Sequence, residues 1–211
     1  MLLIGMFDSP FVRRVAISMK LLGLSFEHAN WSVGKDFDRI RQYNPLGRVP
    51  TLVLDDDEAL LESSAILDYI DSLVDPHLAL LPATGKPRRD ALRIMALATG
   101  AAEKGVSQVY EGAFRPAEKR HQPWIDRCAR QVQGAFTELE LECKNHCKGN
   151  WLLGNRITQA DITLACVTTF LTDAAGMNAM PYPAVQELVA RCEALPEFQS
   201  TRMAFYTPGQ S

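Results

Sequence analysis

The sequence predicts an α/β unit followed by an all-helical one, and three observations carry that expectation. Short apolar runs of strand length alternate with amphipathic helical stretches as far as Val74. The segment from Asp75 to Arg89 then holds three prolines and a glycine, the composition of a linker. Beyond it strand signals nearly vanish and long helical patterns take over. Charge divides at the same place: residues 1–80 hold 7 Lys and Arg against 12 Asp and Glu, whereas residues 81–211 hold 15 against 13. The expected division is a first domain of residues 1–80 and a helical second domain of residues 88–211.

Each element follows from local pattern. Leu2-Leu3-Ile4-Gly5-Met6 reads as a short buried strand bounded by Asp8-Ser9-Pro10. Ser9 as N-cap and Pro10 at the first helical position start a helix, with Val12, Val15, Ala16, Met19 and Leu22 at helical spacing. Gly23 is expected to close it in a left-handed conformation. Leu24 to Ala29 is the second strand. Lys35 to Tyr43 is a short helix, ended by Asn44-Pro45-Leu46-Gly47. Thr51 to Leu54 and Ala59 to Leu61 form a hairpin about the Asp55-Asp56-Asp57-Glu58 turn. Ser63 to Leu73 is a helix with Ile66, Leu67, Ile70 and Leu73 on its apolar face; Glu62 reads as a first-turn acid and Ser63 as its N-cap. In the second half, helices are expected over Asp90–Phe114, Pro123–Lys148, Thr158–Ala174 and Pro183–Leu195, with a short one near Glu197–Ala204.

Composition removes several function classes. The 211 residues are 47% hydrophobic and 22% charged, enough for a sizeable core without metal or disulfide staples. The balance of 22 basic against 25 acidic residues argues against a nucleic-acid binder. The cysteines (Cys128, Cys143, Cys147, Cys166, Cys192) follow no Cys-x-x-Cys or zinc-finger spacing. Cys143 and Cys147 share a helix face, but a pair cannot complete a four-ligand structural site. Reduced core cysteines and no metal are expected. Met1 to Met6 lacks the basic region of a secretory signal, and no stretch approaches the ~18 apolar residues of a membrane span. A soluble, cytoplasmic protein with no membrane partner is expected. His28, His77, His121 and His146 form no spaced pair and are read as non-catalytic.

Four segments then carry a resemblance. Ser9-Pro10-Phe11-Val12-Arg13-Arg14-Val15 looks like the first strand-to-helix turn of the serine-type soluble glutathione transferases. Asn44-Pro45-Leu46-Gly47-Arg48-Val49-Pro50-Thr51-Leu52 resembles that superfamily's turn into its cis-proline strand. Glu62-Ser63-Ser64-Ala65-Ile66 followed by Tyr69-Ile70 is similar to its glutathione-binding helix start, and Thr158-Gln159-Ala160-Asp161 to the capping box of its sixth helix. The resemblance spans nearly the whole chain. It implies a thioredoxin-like first domain, an all-helical second domain, glutathione as co-substrate, a homodimer and a role in detoxification.

The residue types give this resemblance a mechanism. An unperturbed cysteine thiol has a pKa of about 8.5, so little of it is the nucleophilic thiolate at neutral pH. Lowering that value by about two units takes roughly 2.7 kcal/mol of preferential stabilisation. A hydrogen bond from the Ser9 hydroxyl to the sulfur could supply roughly 1.5–3 kcal/mol. The N-terminus of the helix opened by Pro10 adds about 0.3–1 kcal/mol. A cis Val49-Pro50 bond would leave the Val49 backbone to pair with the cysteinyl part of the peptide. Glu62 is expected to accept from the γ-glutamyl ammonium and Ser63 to donate to the adjoining α-carboxylate, with Lys35 and Arg48 as cations for the glycyl carboxylate. Asp8, if turned inward, would oppose the thiolate.

For the electrophile, Phe11, Tyr110 and Phe114 are the expected pocket residues, with Arg115, Trp124 and Tyr206 as further candidates. Where redox-active relatives carry cysteine this chain has Ser9, so thiol–disulfide exchange there is not expected. The expectation is a glutathione transferase acting on a small hydrophobic electrophile. The alternatives are a non-catalytic interaction module of the same fold and a carrier of hydrophobic ligands; the presence of Ser9, Pro50, Glu62 and Ser63 favours the enzyme.

Overall fold

The structure is a computed structural model and describes residues 1–146 and 149–207. Cys147 and Lys148, half of the Cys143/Cys147 pair and the expected end of the second long helix, lie outside the described residues.

A single mixed sheet organises the first half. β1 (Leu2–Ile4) runs parallel to β2 (Glu27–Ala29) and antiparallel to β3 (Thr51–Val53), and β4 (Ala59–Leu61) closes the edge beside β3, in the order β2-β1-β3-β4. Successive strand residues point to opposite faces, and both faces are covered here. Leu3 and Leu52 join Val12, Val15, Ala16 and Met19 of α1 (Pro10–Leu21) and Ile66, Leu67 and Ile70 of α3 (Ser63–Ser72). Ile4 and Val53 meet Ile40 of α2 (Phe37–Ile40) on the other side. Gly23 ends α1 at φ 69°, as its position predicts. Gly5 has φ 129°, and a Cβ there would lie 2.5 Å from Val12 and 2.8 Å from Val49, so only glycine lets α1 and the Val49 turn close on β1.

The second half is helical: α4 (Gly85–Phe114), α5 (Gln122–His146), α6 (Gln159–Ala175), α7 (Pro183–Glu193) and α8 (Pro196–Gln199). α4 begins at Gly85 and not at the expected Asp90. Pro87 sits in its first turn, where an amide proton has no intrahelical partner to lose. What remains of the linker is pinned, because the two carboxylate oxygens of Asp71 accept from the Leu80 and Leu81 N–H groups at 2.9 Å. Among the described residues no helix is long and apolar enough to cross a membrane.

Two elements hold the halves together. α6 is buried along most of its length and packs against α1, α4 and α7. Its start is the expected capping box: Asp161 Oδ2 accepts from the Thr158 N–H at 2.8 Å and the Thr158 hydroxyl at 2.7 Å. Its Oδ1 accepts from the Leu152 N–H at 2.8 Å, a bond the sequence does not announce. α1 belongs to both cores, with Phe11 and Ile17 in the helical one and Val12, Val15, Ala16 and Met19 under the sheet. Arg13 reaches out of it to Glu193 with two hydrogen bonds of 2.7 Å, and to the Phe198 carbonyl at 3.0 Å. Cys128, Cys143, Cys166 and Cys192 are buried thiols; burial pushes Cys166 up to about 12.

Candidate active site

A cleft opens where the start of α1 faces α4 and α6. Ser9 stands at its floor as the N-cap of α1, its Oγ accepting from the Val12 N–H at 3.5 Å. That bond is long and uses a lone pair, so the hydroxyl proton remains available to a ligand. Asp8 lines the same cleft. Burial pushes its carboxyl above the usual carboxylate range, against hydrogen bonds from backbone N–H groups that include that of Tyr206 at 3.0 Å. The inward orientation left open by the sequence is therefore realised, and the carboxylate is tied to the C-terminal segment through the Tyr206 N–H.

The opposite wall is apolar. Phe11, Val106, Val109, Tyr110, Phe170 and Phe205 line it, and the Phe170 and Phe205 rings meet edge-on at 5.9 Å. Phe11 and Tyr110 thus stand in the cleft. Phe114 does not line it: it lies one helical turn further on, half exposed, with its ring packed edge-on against Tyr110 at 5.0 Å. Arg115 pairs with Glu111 at 3.0 Å, and Trp124 stacks under Lys104. Tyr206 lines the cleft beneath the Lys35 ammonium, 5.1 Å from its ring centre.

A second lobe shares Phe11, Arg48 and Val49 with the first and ends at Glu62 and Ser63. The Val49-Pro50 bond is cis. Sheet pairing starts only at Thr51, so the Val49 backbone stands outside the ladder. Asn44 shapes this turn, its buried amide donating to the Arg48 carbonyl at 2.8 Å and the Thr51 hydroxyl at 3.2 Å. Arg48 ion-pairs with Glu103 of α4 at 2.9 Å across the lobe.

At the head of α3 the cap is Glu62, not Ser63. Glu62 has φ 70° and ψ 128°, and its Oε2 accepts from the Ser64 N–H at 2.9 Å. Its Oε1 accepts from the Ser63 hydroxyl at 3.1 Å. A non-glycine residue at such a φ costs on the order of 1–3 kcal/mol and persists where surrounding bonds over-determine it, a condition met most often at binding sites. Burial alone would raise the Glu62 carboxyl; the Ser64 and Ser63 hydrogen bonds and the charge of Arg14 outweigh it and hold the group below the usual range. Arg14 lies directly beneath, its Nη2 donating to the Ser63 hydroxyl at 2.7 Å and the Ser64 hydroxyl at 2.9 Å.

The structure thus brings Ser9, Phe11, Arg48, Val49, Glu62, Ser63 and Tyr110 around one two-lobed cleft, with Lys35 near its mouth. Reading the sequence missed Val106, Val109, Phe170 and Phe205, apolar residues whose spacing marks only a buried helix face or a tail. It also missed Arg14, for which a cationic residue on an amphipathic helix gives no signal of burial. Asn44 was legible as a turn residue and no more. Among the described residues no group of His, Cys, Asp and Glu could hold a metal ion.

Comparison with known proteins defines the class. Residues 3–77 match the model of the glutathione S-transferase N-terminal domain, and residues 105–196 that of the C-terminal domain. A protein of Escherichia coli K12 described as the uncharacterized GST-like protein YibF is 30% identical over 171 residues, which cover 81% of this chain and 82% of that one. The chain belongs to the glutathione S-transferase family. Among solved structures, a glutathione S-transferase of Methylobacterium radiotolerans in complex with glutathione sulfonate superposes with a TM-score of 0.88 at 27% identity, covering 98% of this chain and 96% of that one. A maleylpyruvate isomerase of Pseudomonas aeruginosa superposes at 0.73, also with 27% identity, over 95% of each chain.

Proposed function

We propose that this protein binds glutathione along the two-lobed cleft and uses its thiolate to attack a small hydrophobic electrophile. The observation that carries the reading is the uncommitted Ser9 hydroxyl at the N-terminus of α1, facing an apolar wall. The γ-glutamyl end would lie at Glu62 and Ser63, the cysteinyl part along the Val49 backbone, and the sulfur at Ser9. Arg48 and Lys35 stand where a glycyl carboxylate would need a cation, although each must first leave or share a partner, Glu103 and Tyr206 respectively. With the thiol proton released to solvent, the thiolate donates an electron pair to the electrophilic carbon, a C–S bond forms, and the leaving group departs with its own pair. Ser9 contributes by donating to the sulfur, which lowers the thiol pKa and raises the fraction present as the attacking thiolate.

The lining supports a neutral substrate. Its charged residues are Asp8 and Arg48, and Arg48 is already ion-paired with Glu103. Among the described residues of the main lobe, a dicarboxylate such as maleylpyruvate would find the Asp8 carboxylate and an Arg48 already paired with Glu103. As a further part of the proposal, the protein works as a homodimer through α3 and the start of α4, where Leu73 and Leu92 are exposed.

Titration calorimetry with glutathione, followed by turnover of an aryl halide, tests the reading. Binding and turnover are expected in the wild type. In Ser9→Ala, affinity is expected to hold while the rate falls tenfold or more, the equivalent of about 1.4 kcal/mol or one thiol pKa unit. Binding without turnover would indicate the carrier, and no binding the interaction module. An unchanged bound-thiol pKa in Ser9→Ala, read by ultraviolet titration, would return Ser9 to the role of a helix cap.

A further inference from the structure

Among the described residues lining the main lobe, Asp8 is the only carboxylate, and it directly precedes Ser9. No described Lys, Arg or His pairs with it; its hydrogen bonds come from backbone N–H groups, that of Tyr206 at 3.0 Å. The charged and titratable groups around it are few. Arg48 lines the same lobe but is held by Glu103, Tyr110 stands on α4, and Lys35 caps the Tyr206 ring. Asp8 also borders a smaller recess lined by Cys166 and Asp173 of α6 and by Arg202, the last two ion-paired at 2.8 Å. Anchoring the tail does not account for a carboxylate here. An amide oxygen would accept from the Tyr206 N–H equally well, without setting an anion beside the site proposed for the sulfur.

Two acids held close together do not both ionise readily, so a thiol and a carboxyl in this cleft would tend to hold one proton between them. Burial raises the Asp8 carboxyl and so favours its share of that proton. With the proton on Asp8, the sulfur is a thiolate and an acid stands beside it. Displacement of a halide makes no use of that acid, because the leaving group departs with its own electron pair. Addition to an activated alkene does. The sulfur pair forms the C–S bond, the alkene π pair shifts toward the carbonyl as an enolate, and the α-carbon must then gain a proton. Arg48, already paired, is the one cation lining the lobe among the described residues, so a proton is the available means of discharging the enolate.

We infer that Asp8 is the proton donor of the cleft, taking up the thiol proton of glutathione and delivering it to the enolate of an α,β-unsaturated ketone. The inference rests on the glutathione reading above and narrows its electrophile to one that keeps its negative charge after attack. For such a substrate the thiol proton stays in the cleft instead of passing to solvent, and the Asp8 carboxylate is regenerated when the adduct forms. Tyr110 is the other proton-bearing candidate, but burial pushes its phenol up and makes it the weaker acid.

The test compares turnover of benzalacetone, an α,β-unsaturated ketone, with that of an aryl halide at saturating glutathione. The wild type is expected to use both. In Asp8→Asn, which can still accept from the Tyr206 N–H, the ratio of ketone to halide turnover is expected to fall at least tenfold, within the roughly 10²–10⁴ that a positioned acid contributes. In the wild type the ketone rate is expected to fall again at alkaline pH, where the pair has lost its last proton, while the halide rate levels off; Asp8→Asn is expected to lack that alkaline fall. An unaltered ratio overturns the inference, including one in which both rates drop alike, since that is what a mere anchor for the tail would give. A selective loss of the ketone in Tyr110→Phe but not in Asp8→Asn assigns the proton to the phenol and overturns it too. If Asp8→Asn does not fold, the wild-type pH profiles decide, and two profiles of one shape overturn the inference. A wild type that uses the halide but not the ketone leaves the glutathione reading standing and removes the role of Asp8. A wild type that does not bind glutathione removes both.

Discussion

Replacing Asp161 by alanine separates a structural carboxylate from a catalytic one. Read from the sequence as a capping-box residue, its loss would cost roughly 1–2 kcal/mol. The structure raises that figure. Asp161 is fully buried and accepts three hydrogen bonds, from the Leu152 N–H, the Thr158 N–H and the Thr158 hydroxyl, at 2.7–2.8 Å. Alanine would strand two backbone donors in places that exclude water, each costing about 1–3 kcal/mol, while the hydroxyl could rotate toward another acceptor. A total of about 3–5 kcal/mol is expected, a large share of the roughly 5–15 kcal/mol by which a domain is stable. For a chain of this length it corresponds to a fall of roughly 6–20 °C in melting temperature. Thermal unfolding followed by circular dichroism measures it, alongside the bound-glutathione thiol pKa, which is expected to stay where it is. A melting temperature that moves by less than about 3 °C would show that water or backbone movement satisfies the stranded donors. An unchanged melting temperature with lost turnover would make Asp161 part of the chemistry, against its distance from the cleft lining.

Two further expectations concern pH and assembly. Burial alone would raise the Glu193 carboxyl, but the hydrogen bonds and charge of Arg13, with the Thr169 hydroxyl, outweigh it and hold the group below the usual range. The unfolded chain therefore binds this proton more readily, so the pairing's stability is fully present above about pH 4.3 and is lost as pH falls through the lower folded value; in Glu193→Gln the loss across that window should flatten, and an unaltered acid profile by urea titration would refute it. Light scattering at micromolar concentration is expected to give twice the mass of the 211-residue chain, and Leu92→Glu to halve it; a wild-type monomer would remove the dimer.

Most of what defines the fold was written locally. Ser9-Pro10, Gly23, the hairpin about Asp55–Glu58 and the Thr158–Asp161 start are each set by neighbours within a few residues, and all of them form. The helix start at Gly85 was obscured because proline counts as a breaker everywhere except in the first turn, where it sits. The floor of the cleft was legible for the same local reason, since Ser9 is placed by its own helix. The wall of the cleft was not: Val106, Phe170 and Phe205 converge from separate parts of the chain, and their spacing says only that they are apolar. Arg14 was the least legible of all. A buried cation and a solvated one look alike in sequence, and only the hydroxyls of Ser63, Ser64 and Thr163, far away along the chain, reveal which it is.

The membership of α1 in both cores makes the stretch from Val74 to Thr84 a seam in the chain but not in the molecule. Severing the polypeptide there would leave Phe11, Ile17 and the Arg13 and Arg14 guanidinium groups without the surfaces that cover them. A chimera joining this sheet to the helices of a relative would inherit the same difficulty. The productive cut for exchanging the apolar wall of the cleft would keep Thr163, Glu193 and Phe198 with α1, and vary only the residues of α4, α6 and the tail that look into it.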